Sequence, residues 1–246
     1  MEPFLRSVGF RSLRDIGLDK SSTLAKQAGA GILVGFGSLA CVAGLAVAFG
    51  SRSPHHGLTA PEILQHAGKA GLTAIAVGIL EEVVFRGALF GALRKANGWP
   101  VALALSSGVY AMVHFFERPA VPATVEWTTG LVVLGQMMRG FGDLDALVPG
   151  FFNLTLAGMI LGLGYQRTGT LYFSMGLHAG WIFWLKSYGF LTRESALALT
   201  WLSGSNKLID GWLACGILAV VLFLLERNLG SSPESELISA KEAPNE

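Results

Sequence analysis

Charge and cysteine are both scarce in this sequence. Of its 246 residues, 14% are Asp, Glu, Lys or Arg, and the formal net charge is +1. The basic residues are spread between apolar runs, so there is no electrostatic footprint for nucleic acid as a partner. The two cysteines, Cys41 and Cys215, each lie inside an apolar run without ligand spacing, which argues against a disulfide or cysteine–metal framework. The short alternating segments of a membrane β-barrel are missing, as is any convincing internal repeat. The first 27 residues interleave Arg6, Arg11, Arg14, Lys20 and Lys26 with polar residues. They lack the apolar centre and cleavage site of a secretory signal and are expected to stay attached.

Apolar residues, by contrast, are abundant. Hydrophobic side chains make up 52% of the chain and the mean hydropathy is +0.52, values that suit lipid as the solvent. Stretches of about 20 apolar residues, enough to cross a hydrocarbon core as a helix, recur along it. They predict spans near 29–49, 71–93, 100–116, 147–165, 171–190 and 208–225. A seventh apolar piece, Thr128 to Met138, follows Pro119 and Pro122 and is too short to cross; it is read as re-entrant or interfacial. The predicted fold is all-α, a polytopic transmembrane helix bundle with about six to seven spans. The transmembrane helical domain covers 29–226. A basic, cytoplasmic segment, 1–28, precedes it under the positive-inside bias. The tail, 227–246, carries four glutamates with Ser and Pro and is expected to be disordered. Gly31-x-x-x-Gly35 and Gly158-x-x-x-Gly162 mark faces where a neighbouring helix can approach closely.

Ionisable groups inside a bilayer cost about 2.5–3.5 kcal/mol when central, so each needs a partner or a task. The second span holds Glu81, Glu82 and Arg86. A spacing of four puts Glu82 and Arg86 on one helix face, where they can pair. Glu81 is rotated away, an unpaired carboxylate that needs a proton, a water cavity or a partner on another helix. His114 and His178 are the only histidines in apolar runs. Tyr110 precedes His114 by one turn, and Gly176 and Gly180 flank His178, leaving room for a backbone or a substrate. Asn153 could donate a hydrogen bond into the same interior. His55, His56 and His66 fall in a polar connection and are read as solvated. Two histidines with one carboxylate also form a recurrent zinc or iron ligand set, although no His-Glu-x-x-His helix accompanies them. A proton-coupled carrier with Glu81 as relay is the non-enzymatic alternative.

The run Glu81-Glu82-Val83-Val84-Phe85-Arg86-Gly87, then Tyr110-x-x-x-His114 and then His178 resemble the CPBP family of intramembrane glutamic endopeptidases, the CAAX prenyl protease or Abi family. The resemblance covers about residues 70–190. Tyr110 stands where the family usually has Phe, and Ile182 where it usually has Asn or a similar polar residue four positions after the last histidine. The resemblance implies a multi-pass integral membrane peptidase, in the inner membrane if bacterial, without a required metal or cofactor. Its implied substrates are membrane-embedded or lipidated proteins; some members remove the last three residues of prenylated CAAX proteins. Glu81 with His114 would activate water and His178 would stabilise the oxyanion. Glu82 and Arg86 would hold Glu81, with Tyr110 and Asn153 in support. Ile182 removes half of the usual oxyanion donor pair, for which Asn153 or a backbone N–H would substitute. An inactive relative acting as an immunity or scaffold protein is the alternative that Ile182 implies.

Overall fold

A computed structural model describes residues 12–18, 22–120, 124–196 and 198–230. In chain order its elements are α1 (Leu24–Ala48), β1 (Arg52–Pro54), α2 (Ala60–Glu82), a π-helical stretch (Val83–Phe90), α3 (Gly91–Ala96) and α4 (Trp99–Val113). There follow α5 (Thr129–Met137), α6 (Leu144–Thr168), α7 (Tyr172–Leu191), β2 (Thr192–Glu194), α8 (Thr200–Ser203) and α9 (Trp212–Asn228). The fold is helical throughout, apart from a two-stranded antiparallel ribbon that pairs Arg52 with Glu194. Hydropathy gave no sign of this ribbon. Buried Arg52 fixes it by donating from Nε to Thr192 Oγ1 at 3.1 Å and from Nη2 to Asn206 Oδ1 at 2.7 Å.

Helix α2 begins at Ala60, well before the predicted start at Gly71. The cause is a capping box: Glu62 Oε2 accepts from the Thr59 N–H at 2.8 Å and from its hydroxyl at 2.7 Å, and Pro61 sits in the first turn. Thr-x-x-Glu was legible in the sequence as a helix start. His66 therefore lies on a helix rather than in a solvated connection, and its ring stacks on Phe190 at 4.0 Å. Helix α9 continues to Asn228, into the segment expected to be a tail. Residues 231–246 of that tail lie outside the described residues, as do 1–11 of the basic segment. Ile16, within that segment, is fully buried against the hydrophobic group of Val83, Phe90 and Leu171.

Close backbone approach sets the bundle. Helix α7 packs between α1 and α2, and α6 packs between α4 and α9. A Cβ on Gly31 or Gly35 would overlap the carbonyls of Phe173 or Leu177, and one on Gly176 would overlap that of Ala28. Gly158 lies against Ser107 of α4, where a Cβ would stand 2.8 Å from the serine Cβ. The small-residue spacings thus mark helix contacts, and the glycines beside His178 face α1 rather than a substrate.

Polarity is distributed for lipid, with large apolar side chains outside and ionisable ones inside. Leu33, Leu64, Leu72 and Leu131 are exposed, whereas Glu82, Arg86, Asn153 and His178 are buried. By length and composition, Leu24–Ala48 and Leu144–Thr168 each suffice to cross a membrane. With 9 residues, none of them buried, α5 spans only about 14 Å, roughly half a hydrocarbon core.

Gly176→Leu is expected to lower the detergent-solubilised unfolding temperature, because forcing a side chain into a close helix contact costs about 1–3 kcal/mol or more. Gly37→Leu, on a face of α1 with nothing within 4 Å, should leave it unchanged. Equal effects from the two would disprove this packing.

Candidate active site

Adjacent positions on α2 send the two glutamates to different environments. Residues one apart on a helix diverge by about 100°, so Glu82 turns into the protein while Glu81 faces a cavity. The side chain of Glu82 is 0% exposed and that of Glu81 is 23% exposed. The β-branched pair Val83-Val84 follows at once, and the backbone passes into the π-helical stretch, a local form common at functional sites. Within it, Phe85 packs edge-on against Tyr110 at 5.1 Å, and the Arg86 guanidinium lies 4.4 Å from the centre of the same ring.

The predicted Glu82–Arg86 pair forms, with Arg86 Nη1 donating to Glu82 Oε1 at 3.0 Å. Arg86 also reaches α6 through Nη2, which donates to the Gly158 carbonyl at 3.3 Å. One contact goes beyond the spacing argument: His178 Nδ1 meets the same Glu82 Oε1 at 2.8 Å. A carboxylate only accepts, so Nδ1 carries the proton, and Glu82 orients the imidazole as well as pairing with Arg86. Nothing in the local sequence signals this link, because the two residues are 96 positions apart.

His114 sits at the C-terminal cap of α4. Its own N–H bonds Ala111, and its Nδ1 lies 2.7 Å from the Tyr110 carbonyl. A carbonyl also only accepts, so Nδ1 is protonated and the Nε2 of the neutral ring keeps its lone pair. Glu81 Oε2 lies 3.8 Å from that Nε2 and 3.7 Å from the Nε2 of His178. The structure thus brings the three predicted residues together, with Glu81 beyond direct hydrogen-bond range of either ring.

These groups line a cavity of about 430 Å³, together with Tyr110, Asn153 and Ile182. A neighbouring cavity of about 440 Å³ shares His114, Leu154, Leu185 and Ile209 with it, so the two meet beside His114. Arg118 and Lys186, both exposed, stand on the cavity that holds Glu81. Asn153 is placed differently from its expected donor role. Its Nδ2 donates to the carbonyls of Ile209 at 2.7 Å and Gly211 at 2.9 Å. Two carbonyls require the amide nitrogen on that side, so both donors are used to hold the start of α9. Ile182, one turn beyond His178, contributes only apolar wall.

Removing Arg86 would leave Glu82 buried without its guanidinium. Arg86→Met is therefore expected to destabilise the protein by about 3–5 kcal/mol, measured by chemical unfolding in detergent. Adding Glu82→Gln should recover part of that loss, and a double variant no better than the single would contradict the pairing.

The family model described as "Type II CAAX prenyl endopeptidase Rce1-like" matches residues 64–184, which contain Glu81, Glu82, Arg86, Tyr110, His114, Asn153 and His178. No curated protein and no solved structure matches the chain. Through the segment that builds this glutamate–histidine cluster, the chain belongs to the Rce1-like family of type II CAAX prenyl endopeptidases.

Proposed function

We propose that the chain is an intramembrane endopeptidase in which Glu81 activates water to cleave a peptide bond of a membrane-embedded or lipidated protein, with prenylated CAAX chain ends as the first candidates. The observation that carries this reading is the position of Glu81 Oε2 in the cavity, 3.8 Å from His114 Nε2 and 3.7 Å from His178 Nε2. Polar groups at such separations suit a shared small ligand between them. Water held there gives one hydrogen to Glu81 and the other to the lone pair on His114 Nε2. Glu81 takes a proton as the water oxygen attacks the scissile carbonyl, then passes it to the leaving amine as the C–N bond breaks. His178, in its doubly protonated form, donates through Nδ1 to Glu82 and through Nε2 to the oxyanion. The two carboxylates and the Arg86 guanidinium balance the charge of that form.

Six spans, formed by α1, α2 with its π-helical continuation, α4, α6, α7 and α9, would put both chain ends on the cytoplasmic side. Helix α5, too short to cross, would lie at the interface. The reaction as written uses no metal ion.

Glu81→Gln is expected to lower cleavage of a farnesylated CAAX peptide in liposomes by at least about 100-fold, the lower range for a lost general base, with folding and insertion retained. Full activity in this variant would reject the mechanism. Wild-type protein washed with chelator should keep its activity; loss on washing and recovery with zinc would instead favour the metal-ligand alternative.

A further inference from the structure

We infer that the Tyr110 hydroxyl is a catalytic hydrogen-bond donor, the second group that holds the oxyanion beside His178. The inference rests on the proteolytic reading above and assigns a residue that the family resemblance left in a supporting role. Few donors can reach the carbonyl oxygen of a substrate bound in this cavity. Asn153 has committed both amide hydrogens to the carbonyls of Ile209 and Gly211. Thr73 donates to the Lys69 carbonyl and Trp181 to Ser38 Oγ, so neither is free to turn inward. His114 has its Nδ1 hydrogen on the Tyr110 carbonyl and presents a lone pair at Nε2. Ile182 has no donor.

Tyr110 remains. Its hydroxyl lies 3.4 Å from His178 Nε2, on the wall of the cavity that holds Glu81. Two donors that far apart can each approach one oxygen to about 2.8 Å, the normal length for such bonds. Because His178 Nδ1 is held by Glu82, its Nε2 carries a hydrogen only when the ring is cationic, whereas the phenol donates in either state of the histidine. The ring is firmly held: Arg86 lies 4.4 Å from its centre, Phe85 packs on its edge, and Tyr110 is buried. Positive charge beside the ring also stabilises the partial negative charge that the phenol oxygen gains as its hydrogen bond strengthens in the transition state. A donor fixed before the reaction costs no reorganisation during it.

The test uses full-length protein in liposomes with a farnesylated CAAX peptide, and compares wild type, Glu81→Gln, Tyr110→Phe and Tyr110→Phe with Ile182→Asn. Phenylalanine keeps the ring against Arg86 and Phe85 and deletes only the hydroxyl. Loss of one oxyanion donor predicts a kcat lower by about 100- to 1,000-fold with KM within about twofold. An asparagine at position 182 stands one helical turn from His178 on the same wall and should return at least about tenfold of the lost kcat, which a packing role for Tyr110 would not allow. Wild-type kcat in Tyr110→Phe overturns the inference, and so does a slow Tyr110→Phe that Ile182→Asn leaves equally slow. A fully active Glu81→Gln overturns the proteolytic reading instead, and the two failures are separately visible.

Discussion

Glu82 Oε1 accepts from Arg86 Nη1 at 3.0 Å and from His178 Nδ1 at 2.8 Å, in a side chain with no solvent exposure. Taking these groups out of water is costly, and a buried ion pair seldom returns more stability than well-packed apolar residues would. Stability therefore does not account for the cluster. What it supplies is position: one oxygen atom ties the turn after α2 to the middle of α7, and Arg86 extends the tie to the Gly158 carbonyl of α6. Three helices are held in fixed relation at the depth where the cavity opens.

That arrangement requires rigid neighbours, and the glycines provide them. Helix α7 lies against the backbone of α1, where Gly31, Gly35 and Gly176 leave no space for a Cβ. Contact this close permits little sliding, so the depth of His178 is set by main-chain packing rather than by side-chain rotamers. The carboxylate then needs only to set the ring's rotation and its proton. The two glutamates consequently do different work although they are adjacent. Glu82 is spent on holding the site, and that leaves Glu81 facing the cavity with an oxygen 3.7 Å or more from each imidazole.

Much of this was legible in the sequence. Apolar runs located α1, α4, α6 and α7 to within a few residues, because length and hydropathy are what a bilayer constrains most directly. The i,i+4 spacing identified the Glu82–Arg86 pair and separated Glu81 from it. Where the reading fell short, the cause was either an overlooked cap or contacts distant in sequence. Thr59 and Glu62 signalled the early start of α2, but the polar composition of that stretch suggested a connection. The Arg52 ribbon, the Glu82–His178 bond and the use of Asn153 on the loop before α9 depend on residues 56 to 154 positions apart, for which local patterns carry no information. The two departures from the family pattern, Tyr110 and Ile182, were each visible singly. Only the fold places them on one cavity with His178.

Helix ends explain the rest of the chemistry. The last carbonyls of a helix have no intrahelical partner, and at the end of α4 the Tyr110 carbonyl is one of these, since the His114 N–H turns back to Ala111 instead. His114 Nδ1 fills that vacancy at 2.7 Å. The bond satisfies an orphan acceptor that would be costly to bury unpaired, and at the same time it fixes which imidazole nitrogen carries the hydrogen. The lone pair is thereby directed at Nε2 toward Glu81. A histidine one turn earlier, inside α4, would find its neighbouring carbonyls already bonded and its tautomer unfixed. The position of His114 at the cap, rather than in the span, is thus what makes it a partner for Glu81.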